Sequence, residues 1–385
     1  MGWSAGKCYV FYTNRWNSLK NNSKMIRIHL TLFLFISSCS YSIAQIEIMN
    51  NFDLGKYSVG FKHEIIKDFS RSYGDSFRPV ELFIWYPSEI KIKNPLYYTD
   101  YFLLNSNGQN KNKSAIDSLL LIEINSRNID DLADIESVLS KYKKLRTIAQ
   151  EGIAISNKSF PLVLFAPGGN TSGQLHSALC EYLASHGNIV VSIPSLGNAD
   201  TLRWPFNQTG LNLQMDDMAF AINHLANTMQ NLSIEKICLI SWSVGGVSQG
   251  ILSMKNSSID MLISLDSGLG RSYGVEMIKE SPYFDYNKIR IPYLHMTGKA
   301  PEQYDVERSA EFYDSIPSNE KYLRIIEPFA HEHFTSQLGL IPAIVSKKNN
   351  TIIINSYVKM SQLTLGFINA FLKNDTESKQ NWFNN

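Results

Sequence analysis

The apolar run Lys236-Ile237-Cys238-Leu239-Ile240 passes without a spacer into Ser241-Trp242-Ser243-Val244-Gly245-Gly246, and this junction constrains the chain more than any other stretch. A short apolar run of this kind reads as a buried strand. The small residues after it fit a tight strand-to-helix turn, where crowded backbones leave little room and a central side chain stands proud of the sheet. Ser243 is that central residue and the candidate nucleophile. The pattern departs from G-x-S-x-G at one position, since Ser241 stands where the first glycine would be, while Gly245 and Gly246 keep the second half. A serine that merely caps the next helix is the plainer reading of the same residues, so the decision falls to the rest of the chain.

The rest of the chain supplies a regular alternation. Tyr57 to Ile66 and Pro79 to Pro87 read as strands, as do the apolar runs Phe160 to Phe165, Asn188 to Pro194, Ile259 to Leu265, Ile289 to Met296 and Tyr322 to Ile326. Helical spacing falls between them, over Gln174 to Ser185, Leu211 to Met229, Gly246 to Met254 and, at the end, Thr351 to Leu372. Strands alternating with helices predict an α/β fold, a doubly wound and mostly parallel sheet with helices on both faces. Chemistry then belongs at the carboxyl ends of the strands. Residues 96–157 break the rhythm and are expected to form a helical insertion between early strands, lying either over that edge as a lid or at the periphery.

The N-terminal segment carries its own signal. Met25-Ile26-Arg27-Ile28-His29 is basic, Leu30 to Ile36 is apolar but too short to span a bilayer, and Ser37 to Gln45 is rich in small residues. Residues 1–44 therefore read as a targeting segment whose start falls at Met25, and residues 45–385 as the folded domain. Cleavage after Ala44 gives an exported protein, periplasmic or secreted. Alternatively, Ile36-Ser37-Ser38-Cys39 resembles a lipoprotein box, and a lipidated Cys39 would give peripheral attachment at the outer surface. Two of the four cysteines lie in this segment, and the remaining pair, Cys180 and Cys238, is no disulfide framework; each reads as a small buried hydrophobe. With 18% charged residues and a net charge of +1, the chain has no nucleic-acid-binding signature.

A serine that attacks an acyl group needs a base, an acid to orient the base, and two amides for the oxyanion. Asp266 ends the strand after the elbow and is the candidate acid, with Asp305 as its rival. His331, in a loop after the last strand, is the candidate base, with His333 beside it. Val244 and Gly169, the latter in the turn Pro167-Gly168-Gly169-Asn170, would present the oxyanion amides. Two imidazoles in His331-Glu332-His333 without a third ligand nearby do not make a metal site, and no cofactor is expected.

With these residues in hand, the chain resembles the α/β-hydrolase superfamily over roughly residues 78–372, apart from the insertion. It is most similar to the branch holding plasma-type platelet-activating-factor acetylhydrolases and dienelactone-hydrolase-like proteins. The likeness is carried by Ile84-Trp85-Tyr86-Pro87, Phe160 to Gly169, Leu183-Ala184-Ser185-His186-Gly187, the elbow, Leu265-Asp266, and His331 followed by Phe334. In that branch the acid follows the strand after the elbow, which favours Asp266. Two departures stand out: dienelactone hydrolases use a cysteine where Ser243 stands, and acetylhydrolases often have a histidine where Pro167 stands. The resemblance implies a cofactor-free serine esterase acting on a small-molecule or lipid ester. A binding protein on the same fold, or an acyltransferase, would keep many of the same residues.

Overall fold

The computed structural model describes residues 46–103, 135–199, 203–229, 232–299, 308–346 and 350–384. The targeting segment over residues 1–44, Cys39 within it, and Asp305 lie outside these.

Among the described residues, nine strands form one sheet: β1 (Ser58–Tyr73), β2 (Ser76–Ser88), β3 (Ala149–Glu151), β4 (Phe160–Ala166), β5 (Ile189–Ser192), β6 (Leu232–Trp242), β7 (Met261–Leu265), β8 (Tyr293–Gly298) and β9 (Lys321–Ile326). Their order across the sheet is β9-β8-β7-β6-β4-β5-β2-β1-β3. Pairing is parallel from β9 to β5, and β2 is antiparallel to both β5 and β1. The order doubles back between β4 and β6, the kind of switch point outside which strand ends create a crevice. The sheet is therefore the doubly wound, mostly parallel one expected.

Every residue of β4 and β7 is buried, because helices cover both faces of the sheet. The two-residue period still sorts these apolar strands between two cores. Val163, Phe165, Cys238, Ile240, Ile263 and Leu265 face one layer, with Leu179 and Leu183 of α2 (Ser177–Ser185) and Tyr357 and Met360 of α6 (Thr351–Phe367). Leu162, Leu164, Leu239 and Leu262 face the other, built from α3 (Gln208–Thr228), α4 (Gly245–Lys255) and α5 (Ser272–Lys279). The helix α3 starts where the Asn207 side chain accepts the Gly210 amide at 3.2 Å. Its Leu211, Met215, Met218, Ile222 and Leu225, at helical spacing, are all buried, each contributing about 1.5–3 kcal/mol relative to exposure.

Asp217 of α3 is paired with two arginines, Arg71 and Arg78. Arg78 of β2 is 1% exposed and grips Asp217 of α3 with two donors, at 3.1 and 2.5 Å, while a third reaches Leu196 O at 2.9 Å. Such a fork lets a charge stay buried, since every donor finds an oxygen.

The insertion expected to be helical over residues 96–157 is only partly so. Its described parts hold a short helix, Asp100–Leu103, and α1 (Ile135–Tyr142), but then turn into strand. Leu145–Arg146 pairs with Ile46–Glu47, and Ala149–Glu151 becomes β3, paired to Val59, Gly60 and Phe61. An open edge of β1 offers unpaired backbone groups, and extended chain satisfies them where a helix could not. The described ends of the insertion are pinned to the flank of the sheet. The Tyr101 hydroxyl donates to Glu181 Oε1 at 2.9 Å, Trp85 Nε1 donates to the same hydroxyl at 2.9 Å, and the Ile148 amide donates to Glu181 Oε2 at 2.8 Å.

Candidate active site

The elbow is built by crowding. Strand β6 ends at Trp242, α4 begins at Gly245, and Ser243 between them adopts φ +55°, a left-handed conformation that costs a side-chain-bearing residue free energy. A Cβ on Gly245 would lie 2.4 Å from Ala166 O and one on Gly246 would lie 2.1 Å from Ser267 Oγ, so no larger residue fits either position. The Ser241 side chain, which replaces the usual glycine, is 1% exposed and fits in that space. The carbonyl of Ser243 accepts the Gly268 amide at 2.7 Å, which ties the elbow to the turn that follows Asp266.

Asp266 directly follows β7 and is itself left-handed, at φ +44°. Its Oδ2 accepts His331 Nδ1 at 2.7 Å and Arg271 Nη2 at 2.8 Å, and its Oδ1 accepts Thr297 Oγ1 at 2.7 Å. Burial alone would push this carboxyl up. The hydrogen bond and charge of His331, the charge of Arg271 and the Thr297 hydroxyl outweigh burial and hold it well below the usual carboxylate range.

His331 sits on the turn His331–Phe334 after β9, with 32% of its side chain exposed. The Trp242 indole lies flat against its ring, centroids 4.5 Å apart and planes 21° apart, and Trp242 Nε1 donates to His331 O at 3.0 Å. The residue next to Ser243 thus carries the histidine on its face. The remaining link, from Ser243 Oγ to His331 Nε2, is not among the hydrogen bonds formed by the described residues.

The rival base is placed elsewhere. His333 Nδ1 accepts the Ala330 amide at 2.8 Å, so this ring caps its own turn. His295 lies in β8, bonded to Ser264 Oγ at 2.8 Å, and burial pushes it down to about 4, an uncharged core histidine.

The turn after β4 lies against the elbow. A Cβ on Gly168 would lie 2.9 Å from Ser243 Cβ, and one on Gly169 would lie 2.8 Å from the Trp204 ring and 3.4 Å from Val244 Cγ1. Ser195 Oγ donates to Gly168 O at 2.8 Å, and Gln214 Nε2 donates to Pro167 O at 2.9 Å. Asn170, at φ +58°, exchanges two side-chain bonds with the Trp204 backbone, at 3.1 and 2.8 Å. Among the described residues, no turn or loop hydrogen bond takes the amide of Gly169 or Val244.

Arg271, Thr297 and Trp204 escape a reading of the sequence, because nothing local marks a residue whose partner is supplied by another strand or loop. No group of three or more His, Cys, Asp or Glu among the described residues could hold a metal ion. Cys180 and Cys238 are free and buried, and burial pushes both thiols up.

No family model matches the chain, and no curated protein matches it at the level of sequence. Among solved structures, the chain is similar to a ferulic acid esterase from Streptomyces cinnamoneus, with a TM-score of 0.58 and 17% sequence identity over 86% of this chain and 94% of that one. Sheet order, elbow and this likeness agree that the chain has the α/β-hydrolase fold.

Proposed function

We propose that this protein hydrolyses carboxylic esters through an acyl-enzyme on Ser243. The observation that carries the reading is the 2.7 Å bond from His331 Nδ1 to Asp266 Oδ2, made beside an elbow that holds Ser243 in a strained left-handed turn. Bonding through Nδ1 leaves Nε2 to take the Ser243 proton as the hydroxyl attacks the ester carbonyl. The buried carboxylate fixes the ring and stabilises the imidazolium that forms. The amides of Gly169 and Val244 would hold the developing oxyanion, and the histidine then returns its proton to the departing alcohol. Water repeats the sequence on the acyl-enzyme. In a substrate-free site the serine–histidine bond is often loose and tightens on binding.

The resemblance to acetylhydrolases and dienelactone-hydrolase-like proteins extends the proposal to short-acyl or phospholipid esters. The likeness to a ferulic acid esterase supports ester cleavage more generally. The N-terminal segment supports export, by cleavage after Ala44 or by lipidation of Cys39. A fluorophosphonate probe should label Ser243 in wild-type protein and not in Ser243→Ala, with p-nitrophenyl acetate turnover lost in parallel. Folded wild-type protein that neither labels nor turns over ester would refute the reading.

A further inference from the structure

We propose that Arg271 is a positioning residue that sets the pH range over which His331 works as a base, by sharing the carboxylate oxygen that orients it. This rests on the roles proposed above for Ser243, His331 and Asp266. Asp266 Oδ2 accepts both His331 Nδ1 at 2.7 Å and Arg271 Nη2 at 2.8 Å, while Oδ1 is taken by Thr297. The Arg271 and Asp266 side chains are 13% and 4% exposed, so salt screens the pair weakly.

The guanidinium is held by the turn that carries the acid. The backbone of Arg271 is extended at φ −129°, its amide donates to Gly268 O at 3.0 Å, and helix α5 starts directly after it. Its charge is therefore delivered to Oδ2 from a short, braced piece of chain, and a guanidinium keeps that charge throughout the working pH range.

In a triad with a lone carboxylate, the full negative charge stabilises the imidazolium. Here His331 faces a carboxylate already paired with a cation. The imidazolium therefore gains less from this carboxylate than from a lone one, and Asp266 stays ionised and fixed in orientation. Other ionisable groups lie close to the pair. His295 on β8 and His176 behind Trp242 are pushed by burial down to about 4 and about 3, so both are neutral in the working range. The Arg308 guanidinium donates to Gly298 O, and Glu332 is exposed to solvent.

The test compares Arg271→Met and Arg271→Gln, which remove the charge, with Arg271→Lys, which keeps it. Two readings are taken: the pH profile of kcat/KM on p-nitrophenyl acetate, and the titration of the His331 ring by proton–nitrogen NMR. In the uncharged variants the acid limb and the ring titration should both move up by about 1 pH unit, with KM near wild type. The lysine variant should titrate close to wild type. If folded Met and Gln variants keep the wild-type limb and ring titration, Arg271 only braces the turn and the proposal is overturned. Should the Met variant not fold, the Gln variant decides on the same readings, and failure of both to fold would also make the arginine structural. The NMR titration needs no turnover, so it separates this inference from the ester-hydrolase reading, which stands or falls with Ser243 labelling.

Discussion

Trp242 lies face to face with His331, ring centroids 4.5 Å apart, while its Nε1 holds the histidine's own carbonyl at 3.0 Å. One side chain next to Ser243 therefore fixes the imidazole's plane and its backbone together. The indole face also favours the cation formed when the histidine takes a proton, an effect of about 1 kcal/mol. Trp242→Leu should lower kcat about fivefold to tenfold with little change in KM. Trp242→Phe, which keeps a ring face but loses the Nε1 bond, should fall between Leu and wild type. Steady-state kinetics on folded variants checks the order.

Ser243 is held at φ +55°, where a side chain strains the backbone by about 1 kcal/mol or more. Ser243→Gly should therefore be inactive yet up to about 1 kcal/mol more stable than wild type. Ser243→Ala should be equally inactive without that gain. Urea denaturation of the three proteins distinguishes strain from loss of the hydroxyl.

Asp266→Asn should cut turnover by on the order of 10⁴-fold, because an amide cannot keep the imidazole in the required tautomer. His331→Ala should be as damaging, whereas His333→Ala removes only a turn cap, costs about 1 kcal/mol of stability and leaves most activity. Near-wild-type turnover in Asp266→Asn would instead move the acid to Asp305. There is also a pH signature. The Asp266 carboxyl is held below its ordinary value in the folded state, so its contribution is present above about pH 4, the unfolded value, and is lost as pH falls toward the folded one. Denaturation curves below pH 4 should show that loss in wild type and not in the asparagine variant.

Glu181 titrates in the opposite sense. It is fully buried, and burial pushes it up to about 7 from 4.5 despite bonds from the Ile148 amide and the Tyr101 hydroxyl. Its folded value exceeds the unfolded one, so its contribution is full below about pH 4.5 and declines as pH rises to about 7. The loss amounts to about 3 kcal/mol, an order-of-magnitude figure at 1.36 kcal/mol per unit. Glu181→Gln should lose the dependence between pH 5 and pH 7, as read by urea midpoints.

Much of the site could be read along the chain because its members end predicted strands. Ser243, Asp266 and the Gly168-Gly169 turn each follow an apolar run, and a parallel sheet carries such ends to one edge whatever the loops do. The choice of His331 over His333 was far less legible. The two differ by two positions in one loop, and only the fold shows one ring on Asp266 and the other turned back on Ala330. Residues 149–151 are not legible as a strand, because their local spacing does not reveal that an unpaired sheet edge awaits them.

The alternation of strand and helix, the small-residue turn around Ser243 and the carboxylate that follows β7 are all legible in local sequence. These depend on local patterning, on glycine and on strand polarity, which act over a few residues. Three-dimensional packing alone brings His331 rather than His333 to Asp266, places Arg271 and Thr297 on its oxygens, and lays Trp242 against the His331 ring. Those relationships join residues from five to nearly ninety positions apart. They come from packing and register across the sheet, which no short window of sequence encodes.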